Sequence, residues 1–533
     1  MKKIKKLKWL FTLFLIGCLT SCVDDLDVEP KDPDVFIADD LYSSSDSYRQ
    51  ALAGVYGNLA LTSALGSDQT NFTGIDAGTS QYGRGLWNMQ TLTTDEAFWS
   101  WENDPGLADL NRCTWTAGNV IIRGMYSRAL GGVAFANEFL RQTTPELLDS
   151  RGVTESLSNE ISTYRAEARF IRALAYYHIV DMFGKGPFVT ENDPVGAFKA
   201  PEYSRQQLFE FIESELLEII PEMADPLQNE YARADKAAAW MLLAKLYLNA
   251  EIYIGQDRYS DCLSYCEQII GSGFSLTSNY LETFMADNHQ GEARNEIIFP
   301  ILSDGIVTQN YGPTTVMVNG QVGLLENNGE DFGVLAGGWG GALRVPQRFS
   351  QTFLNGNYDV DDRNTLITAD RNVDISDPTD RATGYVIQKW SNFTSTGVTG
   401  SGIEIVDTDF PMFRLADVYL MYAEAHLRGG GGSLSTAVGY INELRTRSNN
   451  PNTITSSDLT LNFLLEERLV ELHWEGHRRQ DLIRYGRFSG GTYNWSWKGD
   501  GPSGLAIGGF RNLFPIPSES LAANPNLTQN EGY

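Results

Sequence analysis

Cysteine is scarce in this chain: five among 533 residues, two of which, Cys18 and Cys22, fall within the first 22. The other three, Cys113, Cys262 and Cys266, are an odd number with neither a CxxC nor a metal-ligand spacing, which excludes a disulfide framework and a thiolate zinc site. Cys262 and Cys266 stand four apart in a helical pattern and read as buried apolar side chains. Positive charge is also short, with 41 Lys and Arg against 68 Asp and Glu and a formal net charge of −27. Such a surface repels nucleic acid and anionic lipid. No apolar run reaches the about 20 residues that a membrane-crossing helix needs. No sustained Pro/Ser-rich linker divides the chain either, so its length reads as one large compact body.

What is present begins at the N-terminus. Lys2, Lys3, Lys5, Lys6 and Lys8 precede an apolar stretch from Trp9 to Ile16, and Leu19-Thr20-Ser21-Cys22 follows. Charged, apolar and small residues in that order form a secretory signal. The Leu-Thr-Ser-Cys ending resembles a bacterial lipobox, which makes residues 1–21 a signal peptide and Cys22 the lipidated first residue of the mature chain. Several acyl chains on one residue hold a protein firmly at a membrane, at about 0.8 kcal/mol per buried CH2. Cleavage removes five lysines and no acid, which carries the formal charge to −32. Residues 22–34, acidic and bearing Pro30 and Pro33, read as an extended tether, and 35–533 as a single domain.

Helical periodicity marks Ser158 to Phe183, closed by Gly184-Lys185-Gly186-Pro187, then Gln206 to Ile220, Ala234 to Tyr253 and Tyr259 to Gly271. A last block runs from Phe410 to Phe488, with helices expected over Met412 to Arg428, Ser433 to Ser448 and Leu459 to Arg487 around the break Gly429-Gly430-Gly431-Gly432. Paired helices of this length that alternate small and large apolar residues look like tetratricopeptide-type units. Residues 273–408 are different, rich in Gly, Asn, Thr and Asp, with β-like pieces only at Glu296 to Leu302 and Tyr385 to Trp390. The expected fold is mainly α: a tetratricopeptide-like repeat scaffold carrying a loop-rich, partly β ligand-binding portion.

Ordered motifs along nearly the whole chain carry a resemblance. They are Arg165-Ala-Glu-Ala-Arg-Phe-Ile-Arg-Ala-Leu-Ala-Tyr-Tyr177, Asp181-Met-Phe-Gly-Lys-Gly-Pro-Phe188, Arg233-Ala-Asp-Lys-Ala-Ala-Ala-Trp240 and Phe410-Pro-Met-Phe-Arg-Leu-Ala-Asp417 with Tyr422-Ala-Glu-Ala425. Ile441-Asn-Glu-Leu-Arg-Thr-Arg447, Glu467 to Leu482, Phe514-Pro-Ile-Pro517 and Gln529-Asn-Glu-Gly-Tyr533 complete the set. The chain resembles the SusD/RagB-like outer-membrane lipoproteins of Bacteroidota. That resemblance implies a non-catalytic protein at the cell surface that binds a glycan and delivers it to a TonB-dependent transporter of the SusC type.

The segments Thr94 to Asn103, Met285-Ala-Asp-Asn288, Gln309-Asn-Tyr-Gly312 and Gly338-Trp-Gly340 are most similar to the family's starch-binding branch. The resemblance places an aromatic arc for an α-glucan, starch or maltooligosaccharide, on Trp101, Tyr311 and Trp339. It places polar partners on Arg84 and Asp104, with Asp76 nearby. The family pattern has Asn where this chain has Asp104, and Asn103 is adjacent. The physics of these types agrees, since sugar rings present C–H faces that stack on Trp and Tyr while Arg and Asp bond hydroxyls. All three rings sit in polar or Gly-rich contexts, and Trp99 shares a strand face with Trp101, either to stack or to buttress.

Other constellations carry less. His473 and His477 stand four apart, the helical spacing of a zinc pair, but the Glu lies two residues after the first His and not beside it as in zincins. In the family this segment packs helices through ion pairs of Glu467, Arg468, Glu471, Glu475, Arg478 and Asp481. Asp95-Glu96 could suggest a glycosidase, which needs two carboxyls across one bond; adjacent residues usually diverge, and loop-fixing acceptors are the simpler reading. No cofactor is required. The resemblance also implies a structural calcium held by Asp407 and Asp409 with Asp287. Rival functions are the same role for another polysaccharide or host glycan, a glycosidase, and a scaffold that binds only protein.

Overall fold

The computed structural model describes residues 41, 42, 44–323 and 329–533. The signal segment 1–21, Cys22 and the tether 22–34 lie outside the described residues. Helices dominate, and among the described residues strands occur only as four two-stranded antiparallel pairs. The helices begin where small polar residues satisfy free amides: Thr154 Oγ1 accepts from Leu157 N, Ser204 forms a capping box with Gln207, and Asp235 Oδ1 accepts from Ala237 N and Ala238 N.

Val120–Gln142 packs on Glu155–Met182, which packs on Arg205–Ile219. Lys236–Leu248 packs on Tyr259–Ile270, which packs on Leu415–Leu427, and that helix meets both Leu434–Arg447 and Leu461–Leu472. Each pair covers its neighbour's apolar face, as a tetratricopeptide-like array requires. One continuous hydrophobic core runs through it, with Cys262 and Cys266 fully buried. Among the described residues no helix is long and apolar enough to cross a membrane.

Several boundaries differ from the expected ones. Helices Ser45–Ala60, Tyr82–Thr91 and Val120–Gln142 lie outside the expected blocks. In the last of these the glycines that blur the apolar pattern are packing positions: a Cβ on Gly132 would meet Asn58 at 3.2 Å and Ala175 at 3.7 Å. The stretch from Met412 to Arg414 is strand, not helix; Phe410–Arg414 pairs with Ile297–Ile301, and the helix starts at Leu415. Ala234 to Tyr253 is interrupted at Asn249.

The expected helix from Leu459 to Arg487 is also two, Leu461–Leu472 and Arg478–Arg484, separated by a turn in which Trp474 and Gly476 take φ of 62° and 79°. His473 and His477 therefore flank a turn and do not share a helical face. Burial holds both neutral, His477 down to about 3.

The turn exists to cross a buried ionic layer. Arg414 reaches Glu296, Glu471 and Glu475; Arg363 reaches Asp361, Glu467 and Glu471; Arg468 joins Asp417 to Asp481; and Arg478 grips Asp95 with both arms of its fork at 2.8 and 2.9 Å. Pairing is what allows so many charges inside, because a lone buried charge costs several kcal/mol, on the order of 3–5 when one partner is removed. Asp95 and Glu96 belong to this layer. Asp95 also accepts from the Tyr493 hydroxyl, and Glu96 accepts from Trp474 N at 3.1 Å. Both are fully buried and face no cleft, so they lock the loop before Phe98 onto the Trp474 turn.

Candidate functional site

Strand Phe98–Trp99 pairs with Leu343–Arg344, and Ser100 N continues the ladder to Ala342 O at 2.7 Å. This short ladder brings the loop bearing Trp101 beside the loop bearing Trp339. The second loop reads Gly337-Gly338-Trp339-Gly340-Gly341, and all four glycines have positive φ, a backbone that a side chain strains. Their left-handed turns lift the indole out of the fold. Trp339 N donates to Asn319 O at 3.0 Å, and the Asn319 amide donates to Glu404 O at 2.7 Å. Helix Pro313–Gly320 thereby ties a third loop to the same place, while Tyr311 stands just before that helix.

The three half-buried rings form a row. Trp101 and Trp339 have centroids 6.3 Å apart and planes 37° apart; Trp339 and Tyr311 are 6.4 Å and 41° apart. Neighbouring planes are tilted by similar angles, so the row is not a flat shelf. Trp99 is 2% exposed and meets Trp101 and Trp339 edge-on at 5.5 and 6.2 Å. Of the two roles open to it, the geometry gives the buttress.

The arc lines a cavity of about 400 Å³ whose other walls include Asp68, Asp76, Gly78, Arg84, Asp104 and Glu404. Asp104 is oriented by the Trp99 indole, which donates to Oδ2 at 2.9 Å. Asp76 is oriented by the Thr79 amide at 3.1 Å. Arg84, in helix Tyr82–Thr91, is 7% exposed, yet its Nε has no hydrogen-bond partner. Its guanidinium lies 5.8 Å from the Trp339 ring centre. Burial lowers its pKa and the charges of Asp76 and Asp104 pull it back up. Gly78 makes room for it, since a Cβ there would sit 2.7 Å from Nη1. Burial, with Glu404 and Asp68 nearby, raises the Tyr311 phenol.

Seven of the eight expected residues thus converge: Trp99, Trp101, Tyr311, Trp339, Arg84, Asp104 and Asp76 all line the cavity. Asn103 does not; it is exposed on the bend beside Asp104. Asp68 and Glu404 come from stretches with no local motif, and nothing in their sequence context marks them.

The three carboxylates expected to bind calcium are held by separate donors. Asp287 accepts from Ser395 N and Oγ at 2.8 and 2.7 Å, Asp407 from Gly305 N at 2.7 Å and Ser401 N at 2.6 Å, and Asp409 from Ser303 N at 2.8 Å. Among the described residues no three His, Cys, Asp or Glu side chains converge on a point a cation would occupy. A second cavity, of about 430 Å³, lies between helix Ser45–Ala60 and strand Ile297–Ile301. Its charged residues Arg49, Arg233 and Glu230 are already paired with one another or with Glu167.

A helical-repeat scaffold that presents a ring-lined cleft from its irregular portion is built as a ligand-binding protein. The SusD family model matches residues 346–533, and the starch-binding protein SusD of Bacteroides thetaiotaomicron is 34% identical over the full length of both chains; this chain belongs to the SusD family. SusD-like protein P25 of Formosa agariphila is 26% identical over 98% of each chain. Among solved structures, the surface glycan-binding protein A of B. thetaiotaomicron in complex with laminarihexaose has a TM-score of 0.66 at 21% identity, covering 91% of this chain and 99% of that one. A laminarin-binding SusD-like protein has a TM-score of 0.68 at 21% identity, with 92% and 99% coverage. Those structures share the fold.

Proposed function

We propose that this protein is a cell-surface lipoprotein that binds a curved α-glucan, starch or maltooligosaccharide, without cleaving it, and delivers it to a SusC-type transporter. The observation that carries the reading is the row of three rings, each tilted by about 40° to the next, beside a buried arginine whose Nε lacks a hydrogen-bond partner. Rings that turn stepwise follow a helical polymer, whereas coplanar rings suit a flat ribbon. The C–H faces of successive sugars stack on Trp101, Trp339 and Tyr311, while Arg84, Asp104 and Asp76 bond hydroxyls. The resemblance to starch-binding SusD supports the α-linkage. The laminarin-binding neighbours make a β-1,3-glucan, also curved, the second reading.

The adjacent acids Asp95 and Glu96 are buried in the ionic layer, away from the arc, and do not serve it as a glycosidase pair. Lipidation at Cys22 places the body at the outer-membrane surface, on the tether 22–34. Titration with maltoheptaose, laminarihexaose and cellohexaose tests the reading: maltoheptaose binds, cellohexaose does not, and the sugar is recovered intact. Equal binding of the flat cellohexaose would refute the arc, tighter laminarihexaose binding would transfer the site to β-1,3-glucan, and shortened products would make the protein an enzyme.

A further inference from the structure

We propose that the cavity selects its glycan by charge as well as by shape, and that Asp68 and Glu404 are the residues that turn acidic polysaccharides away. This rests on the reading of the cavity as a glycan site and adds the class of chain it admits. Four carboxylates, Asp68, Asp76, Asp104 and Glu404, line the cavity, and Arg84 is the one cation among its described lining residues. Arg84 marks the place as built for a ligand, being 7% exposed with its Nε unpartnered.

The charges divide into two groups. Asp76 and Asp104 act on Arg84 and offset its charge. Asp68 and Glu404 are exposed, lie beside the Tyr311 phenol at the far end of the arc and have no cation near them in the cavity. Glu404 is held in place through its backbone by Asn319. A neutral sugar entering along the arc brings hydroxyls that donate to carboxylates. The charged group of a uronate or a sulfate brings only acceptors and a like charge, and its repulsion by these exposed carboxylates is open to screening by salt.

The test uses three chains of one length: maltoheptaose, maltoheptaose with its primary alcohols oxidised to carboxylates, and the same oxidised chain converted to amides, which keeps the size and removes the charge. At low salt the carboxylated chain binds at least tenfold more weakly than the amide, and the gap narrows by several-fold in 0.5 M NaCl as screening shortens to roughly 4 Å. In the double variant Asp68→Asn, Glu404→Gln the amide-to-carboxylate ratio falls at least fivefold. Equal binding of carboxylate and amide at low salt, or an unchanged ratio in the double variant, overturns the proposal alone. If maltoheptaose binds normally while the charged series shows no discrimination, the glycan site stands and its charge selectivity falls; if no neutral chain binds, both fall.

Discussion

Trp99 and Trp101 are separated by one residue, the first buried and the second half-buried, and that difference predicts different mutational behaviour. Trp99 is wedged under the arc and fully packed, so Trp99→Ala destabilises the fold by about 3–5 kcal/mol, measurable by denaturant unfolding. Trp101 and Trp339 present their faces to the cavity, so Trp101→Ala or Trp339→Ala weakens amylose or cyclodextrin binding at least tenfold, about 1.4 kcal/mol, with the unfolding midpoint little changed. Unchanged affinity in both would remove the arc as the site. Arg84→Met loses the buried donors and weakens binding by roughly 10- to 100-fold, in line with about 1.5–3 kcal/mol for a hydrogen bond to a charged group. The family resemblance placed the rings, and Gly-Gly-Trp-Gly-Gly and Asn-Tyr-Gly, contexts in which a core ring would be out of place, supported it. Asp68 and Glu404 were not, because long-range ties such as Asn319 to Glu404 bring them in, and no local pattern records such a tie.

The helices were legible where apolar spacing is regular, as in Glu155–Met182, and illegible where tertiary contacts decide. The Gly-bearing face of Val120–Gln142 and the strand pairing of Phe410–Arg414 are of that second kind. So is the Trp474 turn, where Glu96 and the Asp95–Arg478 pair hold an interruption that periodicity runs straight through. Two buried acids at such junctions give stability opposite pH dependences. Burial raises Glu96 from 4.5 to about 8. The folded chain therefore keeps a proton the unfolded chain has lost; its stabilising effect is complete below about pH 4.5 and disappears as pH rises through 8. Glu96→Gln, which keeps the acceptor for Trp474 N, flattens that alkaline decline.

Glu424 in helix Leu415–Leu427 is the reverse case. Burial opposes its charge, but Arg484, Arg428 and Arg468 outweigh burial and hold it at about 2. Its contribution is present above pH 4.5 and is lost as pH falls toward 2. Glu424→Gln costs about 1.5–3 kcal/mol at neutral pH, by removing one of the two carboxylates that hold the buried Arg484 while Asp481 remains, and makes the acid limb of a Tm-versus-pH curve shallower.

For the whole molecule, the helical array supplies the body and the irregular loops supply the cleft, and under the proposed function Cys22 and the tether set where the cleft works. In this reading the body closes over a transporter and swings away on residues 22–34. Cys22→Ala releases the protein from the membrane fraction, and deletion of residues 23–34 slows glycan uptake in cells while leaving affinity in solution unchanged; full uptake by the deletion would refute the swinging body. The central claim is that the arc holds a curved α-glucan. Titration of the purified protein against starch, laminarin, levan, xylan and mucin glycans tests it most directly: binding to starch tighter than to every other polymer is the predicted result, and weak starch binding beside tight binding of another polymer would contradict it.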